Sequence, residues 1–219
     1  MPRPESQKAK KIRAAAIVDA LKGVYPAAEC ALQYEGDPWR LLVMGRLSAQ
    51  CTDARVNTVA KTLFAVYPNA EAMANADPEE VGRYIFSCGL YKTKARDLVA
   101  ASQMLVTTFD GKLPDTMEAL LTLPGVGRKI ANLLLGDIYQ KPAIVADTHC
   151  IRISRRMGLV AKDDKTPEKV EKTLVSLIAP EEQSDFCHRI VLLGREYCPA
   201  RGKDCSLCPI AALCPKIEV

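Results

Sequence analysis

No stretch of this sequence approaches the roughly 18–20 consecutive apolar residues that span a bilayer. The amino end, MPRPESQKAKKIR, is polar and basic and lacks the apolar centre of a secretory leader, so a cytoplasmic location is expected. No segment alternates apolar and polar residues as a half-buried strand would, and no internal repeat is visible. Membrane-spanning, secreted and repeat-array classes are set aside on these grounds. Charge of one sign is also scarce: 30 Lys and Arg oppose 26 Asp and Glu, a formal net charge of +4. That mild excess permits a polyanionic partner without requiring one. The basic residues concentrate late in the chain, at Arg152, Arg155, Arg156, Arg195, Arg201 and Lys203.

What is present is helical periodicity almost throughout, which predicts an all-α fold. Helices are expected over 8–21, 39–50, from 53 to the stop at Pro68, and from DPEE at 77–80. That last start combines a cap, a proline in the first turn and a glutamate three residues on. Further helices are expected over 94–109, 116–121, 126–138, from Asp147 to Met157, from Thr166, and over 184–196. Pro142 breaks the pattern and marks a plausible domain boundary.

Nine cysteines are many for a cytoplasmic chain. Cys30, Cys51, Cys88, Cys150 and Cys187 are scattered among apolar or helical residues, where a small buried thiol is the ordinary role. Cys198, Cys205, Cys208 and Cys214 crowd into 17 residues as C-x6-C-x2-C-x5-C. In a reducing compartment that crowding points to metal before disulfides. Four thiolates suit zinc or an iron–sulfur cluster. Only Cys205 and Cys208 form a close pair, and that asymmetry suits a body larger than one zinc ion. The loop between Cys198 and Cys205 carries Arg201 and Lys203, two cations suited to phosphate contact.

The segment LPGVGRK, 123–129, puts two glycines directly ahead of a basic pair. Gly125 and Gly127 can take positive φ cheaply and reverse the chain between two helices. Amides around Gly125, Val126 and Gly127 would then face outward at a helix N-terminus, a backbone site for a phosphate diester, with Arg128 beside it. Lys129 falls in the first turn of the next helix. A lysine amine can attack an electrophilic carbon and form a Schiff base. At its ordinary pKa only about one lysine in a few thousand is neutral at pH 7. A helix N-terminus, Arg128 and partial burial would raise that fraction. Asp147, in VADTHCIR, follows 18 residues later. It can cap a helix, and it can also accept a proton or stabilise positive charge on a reacting sugar. His149 is assigned no catalytic role.

LPGVGRK, the VADTH aspartate and the cysteine spacing together resemble the endonuclease III family of helix-hairpin-helix DNA glycosylases. LSAQCTD, 47–53, and GLYKTKA, 89–95, are similar to further segments of that family in the same order. The resemblance runs from about residue 12 to 214. It implies two domains with the active site in the cleft between them. One is a six-helix barrel, 31–141, with the hairpin at about 116–138. The other is a discontinuous domain, 1–30 with 142–219, holding a [4Fe-4S] cluster on Cys198, Cys205, Cys208 and Cys214. It also implies a bifunctional enzyme that excises oxidised pyrimidines and cuts the strand. Lys129 matches the family's nucleophile and Asp147 its catalytic carboxylate. Gln50 and Leu90 match residues that fill the gap left by an extruded nucleotide. The hairpin of the family often holds a monovalent cation on backbone carbonyls. The implied partner is double-stranded DNA with damaged pyrimidines or abasic sites, bound by a monomer associated with the nucleoid.

The chain departs from the family pattern at Leu193, where many members have histidine, and in the segment before Lys141 and Pro142. These positions touch the cluster surroundings and lesion choice. The adenine-mismatch branch generally lacks the lysine and carries a catalytic glutamate in the second helix; 39–50 contains no acidic residue. A non-catalytic DNA-binding protein would leave Lys129 dispensable. A simple electron carrier would have no use for LPGVGRK or Asp147.

Overall fold

The computed structural model describes residues 5–201 and 204–217, and all regular structure among them is helical. The all-α expectation is met. The chain divides into two compact units: one takes the chain up to Glu29 and again from Gln140, the other is Cys30–Tyr139.

In the first unit α1 spans Gln7–Val24, capped by Ser6, whose hydroxyl accepts from the Ala9 amide at 3.2 Å. Its Ala14, Ile17, Val18 and Leu21 recur at helical spacing and are buried. The unit continues with α9 (Thr148–Arg156), α10 (Pro167–Leu177) and α11 (Gln183–Glu196). Ile153, Leu174, Phe186, Ile190 and Leu193 close one core with the α1 stripe. Leu193, the position where the sequence departs from the family pattern, is therefore a fully buried core residue. Arg189 is buried too, held by Asp185 at 2.7 Å and Glu182 at 3.0 Å. Lys22 on α1 also reaches Glu182, at 2.6 Å. That hydrogen bond, more than the one from Arg189, holds the Glu182 carboxyl below its ordinary range.

In the second unit α2 is Pro38–Leu47, and all but three of its residues are buried. A helix apolar on every side belongs at the centre of a core. Around it run α3 (Asp53–Val66), α4 (Ala70–Ala74), α5 (Pro78–Tyr84), α6 (Tyr91–Thr108), α7 (Met117–Leu120) and α8 (Arg128–Asp137). α2 and α8 meet closely at Gly45, where a Cβ would stand 3.4 Å from Ile130 and 3.5 Å from Leu133. The buried Trp39 indole donates to Ser102 on α6 at 3.1 Å. None of the described helices is long and apolar enough to cross a membrane.

Several expected boundaries move. α2 ends at Leu47, so Gln50 lies beyond the helix. α3 begins at Asp53 as expected, with Thr52 as its cap. α6 begins at Tyr91 rather than Lys94. α4 was not expected; five residues behind an Asn69 cap are too few to show a period. Of the scattered cysteines, Cys88, Cys150 and Cys187 are buried as expected, whereas Cys30 and Cys51 are only partly so.

α9 and α11 cross at Gly194. A Cβ there would lie 2.7 Å from both His149 Cδ2 and Ile153 Cδ1. Glycine to alanine inside a helix ordinarily stabilises by about 0.5–1 kcal/mol. Here overpacking dominates, and Gly194→Ala is expected to cost about 1–3 kcal/mol in urea unfolding. An unchanged or raised midpoint would show that the two helices are not in contact at this point.

Candidate functional site

The hairpin lies wholly within Cys30–Tyr139. Thr116 caps α7 by accepting the Ala119 amide at 3.3 Å, and Leu120 and Leu123 anchor the turn in the core. Gly125 has φ +75°, a left-handed conformation that favours glycine. It also faces an ion pair. A Cβ at Gly125 would stand 2.7 Å from Arg46 Nε and 2.8 Å from Asp97 Oδ2. Arg46 from α2 holds Asp97 from α6 through two hydrogen bonds to one carboxylate oxygen, at 2.8 and 2.6 Å. The turn therefore rests on a partly buried ion pair that admits no side chain at Gly125.

Gly127 corrects the sequence reading. Its φ is −102° and its ψ 176°, extended backbone open to any residue, and nothing lies within 4 Å of a Cβ there. It is the N-cap of α8 and supplies no side-chain hydrogen bond to the helix. The Val126 amide does not face outward as expected: it closes the turn on the Leu123 carbonyl at 3.1 Å, and its side chain is buried. The amides suited to an anion are therefore those of the first turn of α8, which have no carbonyl within the helix to bind. Arg128 and Lys129 occupy that turn with exposed side chains. The partial burial expected of Lys129 is not seen.

Gln50 and Leu90 are both exposed, and both adopt left-handed backbone, φ 56° and 48°. Leu90 is 58% exposed, an unusual combination for a bulky apolar residue. It is the N-cap residue of α6 and follows Gly89, whose φ is +66°.

In the other unit Asp147 is the N-cap of α9. Its Oδ1 accepts the Cys150 amide at 2.7 Å, and its Oδ2 lies 3.8 Å from His149 Nδ1. The four clustered cysteines are all partly buried. Burial pushes the Cys208 and Cys214 thiols up; the amides of Ile210 and Lys216 act in the opposite direction, and neighbouring cysteines add to the rise. Among the described residues no three His, Cys, Asp or Glu side chains gather as they would around a single metal ion.

The late arginines divide. Arg156 is 7% exposed and turns inward on the tail. It donates to the Cys198 sulfur at 3.2 Å and the Pro199 carbonyl at 2.8 Å, while its own carbonyl accepts the Ile217 amide at 3.0 Å. Arg152 reaches the Cys198 carbonyl at 3.1 Å. Arg13, from α1, binds the carbonyls of Met157 at 2.6 Å and Leu213 at 3.2 Å. Arg152 and Arg156, which looked available to a polyanion, thus bind the chain itself, as does Arg13. Arg201 is exposed; Lys203 lies outside the described residues.

Sequence reasoning missed Arg46, Asp97, Lys94, Arg156 and Arg13. Lys94 carried a signal: it stands four residues before Leu98 and extends the apolar stripe of α6, an odd place for a lysine. Nothing local distinguishes Arg46 or Arg156 from surface arginines.

The family described as HhH-GPD superfamily base excision DNA repair protein matches residues 43–180, more than half of the chain. Endonuclease III of Synechocystis is 43% identical over 210 residues, covering 95% of this chain and 94% of that protein. Endonuclease III of Bacillus subtilis is 40% identical, covering 90% and 89%. A solved trapped endonuclease III–DNA covalent intermediate superposes with a TM-score of 0.88 at 39% identity, over 94% of this chain and 96% of that one. A thermostable thymine-DNA glycosylase, 19% identical with a TM-score of 0.86, shares the fold. The chain belongs to the endonuclease III family within the HhH-GPD superfamily, and so to the DNA glycosylases of base excision repair.

The two glycines separate experimentally. Gly125→Ala forces both strain and a clash and is expected to destabilise by about 2 kcal/mol or more. Gly127→Ala is expected to stay within about 0.5 kcal/mol. Denaturant midpoints of the two variants check this; equal shifts would contradict the seat described for Gly125.

Proposed function

We propose that the protein is a bifunctional DNA glycosylase and AP lyase that excises oxidised pyrimidines through Lys129 and then cuts the strand 3′ to the abasic site. The observation that carries this reading is the placement of Lys129: an exposed amine in the first turn of a helix capped only by glycine. A phosphate received by those first-turn amides, with Arg128 beside it, would fix the register of the DNA, and Lys129 would then meet a sugar.

The chemistry follows from an amine nucleophile. The nitrogen of Lys129 bonds to C1′ as the C1′–base bond breaks, and the base leaves with the bonding pair and takes up a proton. One of the two protons on the attacking nitrogen passes to Asp147, whose carboxylate also offsets positive charge on the sugar. The C1′–O4′ bond then opens, O4′ takes back a proton from Asp147, and the nitrogen lone pair forms the cationic Schiff base. The cationic imine acidifies C2′–H; loss of that proton forms the C2′–C3′ double bond and expels the 3′ phosphate. Reaching C1′ requires the damaged nucleotide to leave the stack. Leu90 would serve as the apolar wedge, and Gln50 would offer its amide to the orphaned base. A relative 39% identical to this chain has been trapped as a covalent intermediate with DNA and an estranged adenine.

The cysteine tail fits an iron–sulfur cluster by its donor chemistry. All four donors are thiols, and groups that stabilise thiolate charge are aimed at them: Arg156 at Cys198, and the Lys216 amide at Cys214 at 3.4 Å. Cys198, Cys205, Cys208 and Cys214 would hold a [4Fe-4S] cluster, which would order the tail and supply a site for electron exchange. Arg201 and Lys203 on the loop before Cys205 would contact phosphate. The hairpin carbonyls would take a monovalent cation. In this reading 31–141 is a six-helix barrel, the cluster domain is discontinuous, and the protein acts as a monomer on nucleoid DNA in the cytoplasm.

Borohydride should trap the wild-type protein on duplex DNA carrying thymine glycol or an abasic site, and Lys129→Gln should give no adduct. A missing wild-type adduct, or an undiminished one in the variant, refutes the mechanism. Asp147→Asn keeps a good capping residue. It should fold and bind abasic-site DNA yet lose about 100-fold or more in turnover; a variant that merely unfolds leaves Asp147 as a cap. The purified protein should be brown and contain iron. A colourless, zinc-loaded and active preparation would overturn the cluster assignment.

A further inference from the structure

Lys94 is fully buried, and no part of the proposed chemistry uses it. Its ammonium donates three hydrogen bonds, to the carbonyls of Leu47 at 2.8 Å, Ala49 at 2.7 Å and Cys88 at 2.8 Å. An ammonium has three donors, so every one is used. Leu47 is the last residue of α2 and Ala49 immediately precedes Gln50. Cys88 ends the 3-10 turn Phe86–Cys88 and stands two residues before Leu90. One cation thus caps the C-terminal ends of two helical segments, where carbonyls lack partners and a positive charge is favoured.

Both segments then lead directly into exposed residues with left-handed backbone, Gln50 and Leu90. The Cys88 thiol is pushed up to about 11, by burial first and by the neighbouring Cys51 thiol next. Left-handed backbone at a non-glycine residue is unfavourable and persists only where the surroundings over-determine it. Lys94 supplies such a constraint to both loops at once.

We propose that Lys94 is a positioning residue that ties the Gln50 loop to the Leu90 loop, so that the wedge and the amide enter a vacated duplex site as one rigid body. Lys94 touches no substrate; it acts through the carbonyls on either side. The inference rests on the gap-filling roles given above to Gln50 and Leu90.

The test is a double-mutant cycle on the full-length holoenzyme, reading single-turnover excision of thymine glycol from duplex DNA. Lys94→Met keeps the apolar stem and removes the three donors. In the wild-type background it should slow excision about 10-fold or more. In a Gln50→Ala/Leu90→Ala background the same change should slow excision less than about 2-fold, because nothing is left to position. An equal loss in both backgrounds means a general structural role and overturns the proposal, as does a folded Lys94→Met enzyme of wild-type rate. A second readout places 2-aminopurine opposite the lesion. Its fluorescence change on binding should shrink in Lys94→Met as in Leu90→Ala; an unaltered change counts against the coupling. If Lys94→Met does not fold, hydrogen exchange on the wild type decides. Amides of 49–51 and of 88–91 should open together, whereas opening at separate rates and free energies overturns the proposal. Failure of the glycosylase reading is distinct: it would show as no wild-type excision.

Discussion

Burying an ammonium is unfavourable unless every proton finds an acceptor, and in Cys30–Tyr139 that requirement falls on Lys94. Three carbonyls from two separate loops must converge on it. The chain cannot relax either loop without leaving a desolvated charge short of a partner, a penalty of about 1–3 kcal/mol and more for charged groups. The same helix carries the next constraint. Asp97, three residues after Lys94, holds Arg46 beneath Gly125. Leu90, Lys94 and Asp97 thus set three surfaces from the first two turns of α6: the exposed leucine, the Gln50 loop and the hairpin turn. The proposed attack at one sugar carbon would demand precision of that kind on rigid elements.

The cysteine tail depends on a different device. Its prolines and short loops supply no helical period to bury. Arg13 instead links the Met157 carbonyl at the end of α9 to that of Leu213 in the tail, and Arg156 holds the Pro199 carbonyl. Guanidinium groups suit this task because their donors are fixed in a plane and stay charged when partly buried. An arginine beside Cys198 also favours a charged sulfur, so the residue that orders the segment also stabilises thiolate there. Net charge therefore overstated what the basic residues offer to DNA.

Much of the helix order was legible because apolar spacing, capping residues and prolines are local signals. Asp77, Thr116 and Asp147 cap as their residue types suggest. The short α4 was not legible, since five residues do not complete two turns. Gly125 and Gly127 looked alike as a pair, yet only the first needs to be glycine, because only it has positive φ and an ion pair against it.

The sequence by itself determined that the protein is all-α, that LPGVGRK places a lysine at the start of a helix, and that four cysteines crowd into 17 residues near the end of the chain. These are statements about neighbours along the chain, and backbone periodicity and residue chemistry suffice for them. Tertiary structure alone decided which cations are available and which are internal: Lys129 and Arg201 stay exposed, while Lys94, Arg156 and Arg189 are buried against acceptors. The reason is physical. A lysine or arginine carries the same charge wherever it stands in a sequence, and its fate depends on carbonyls and carboxylates that distant segments bring to it.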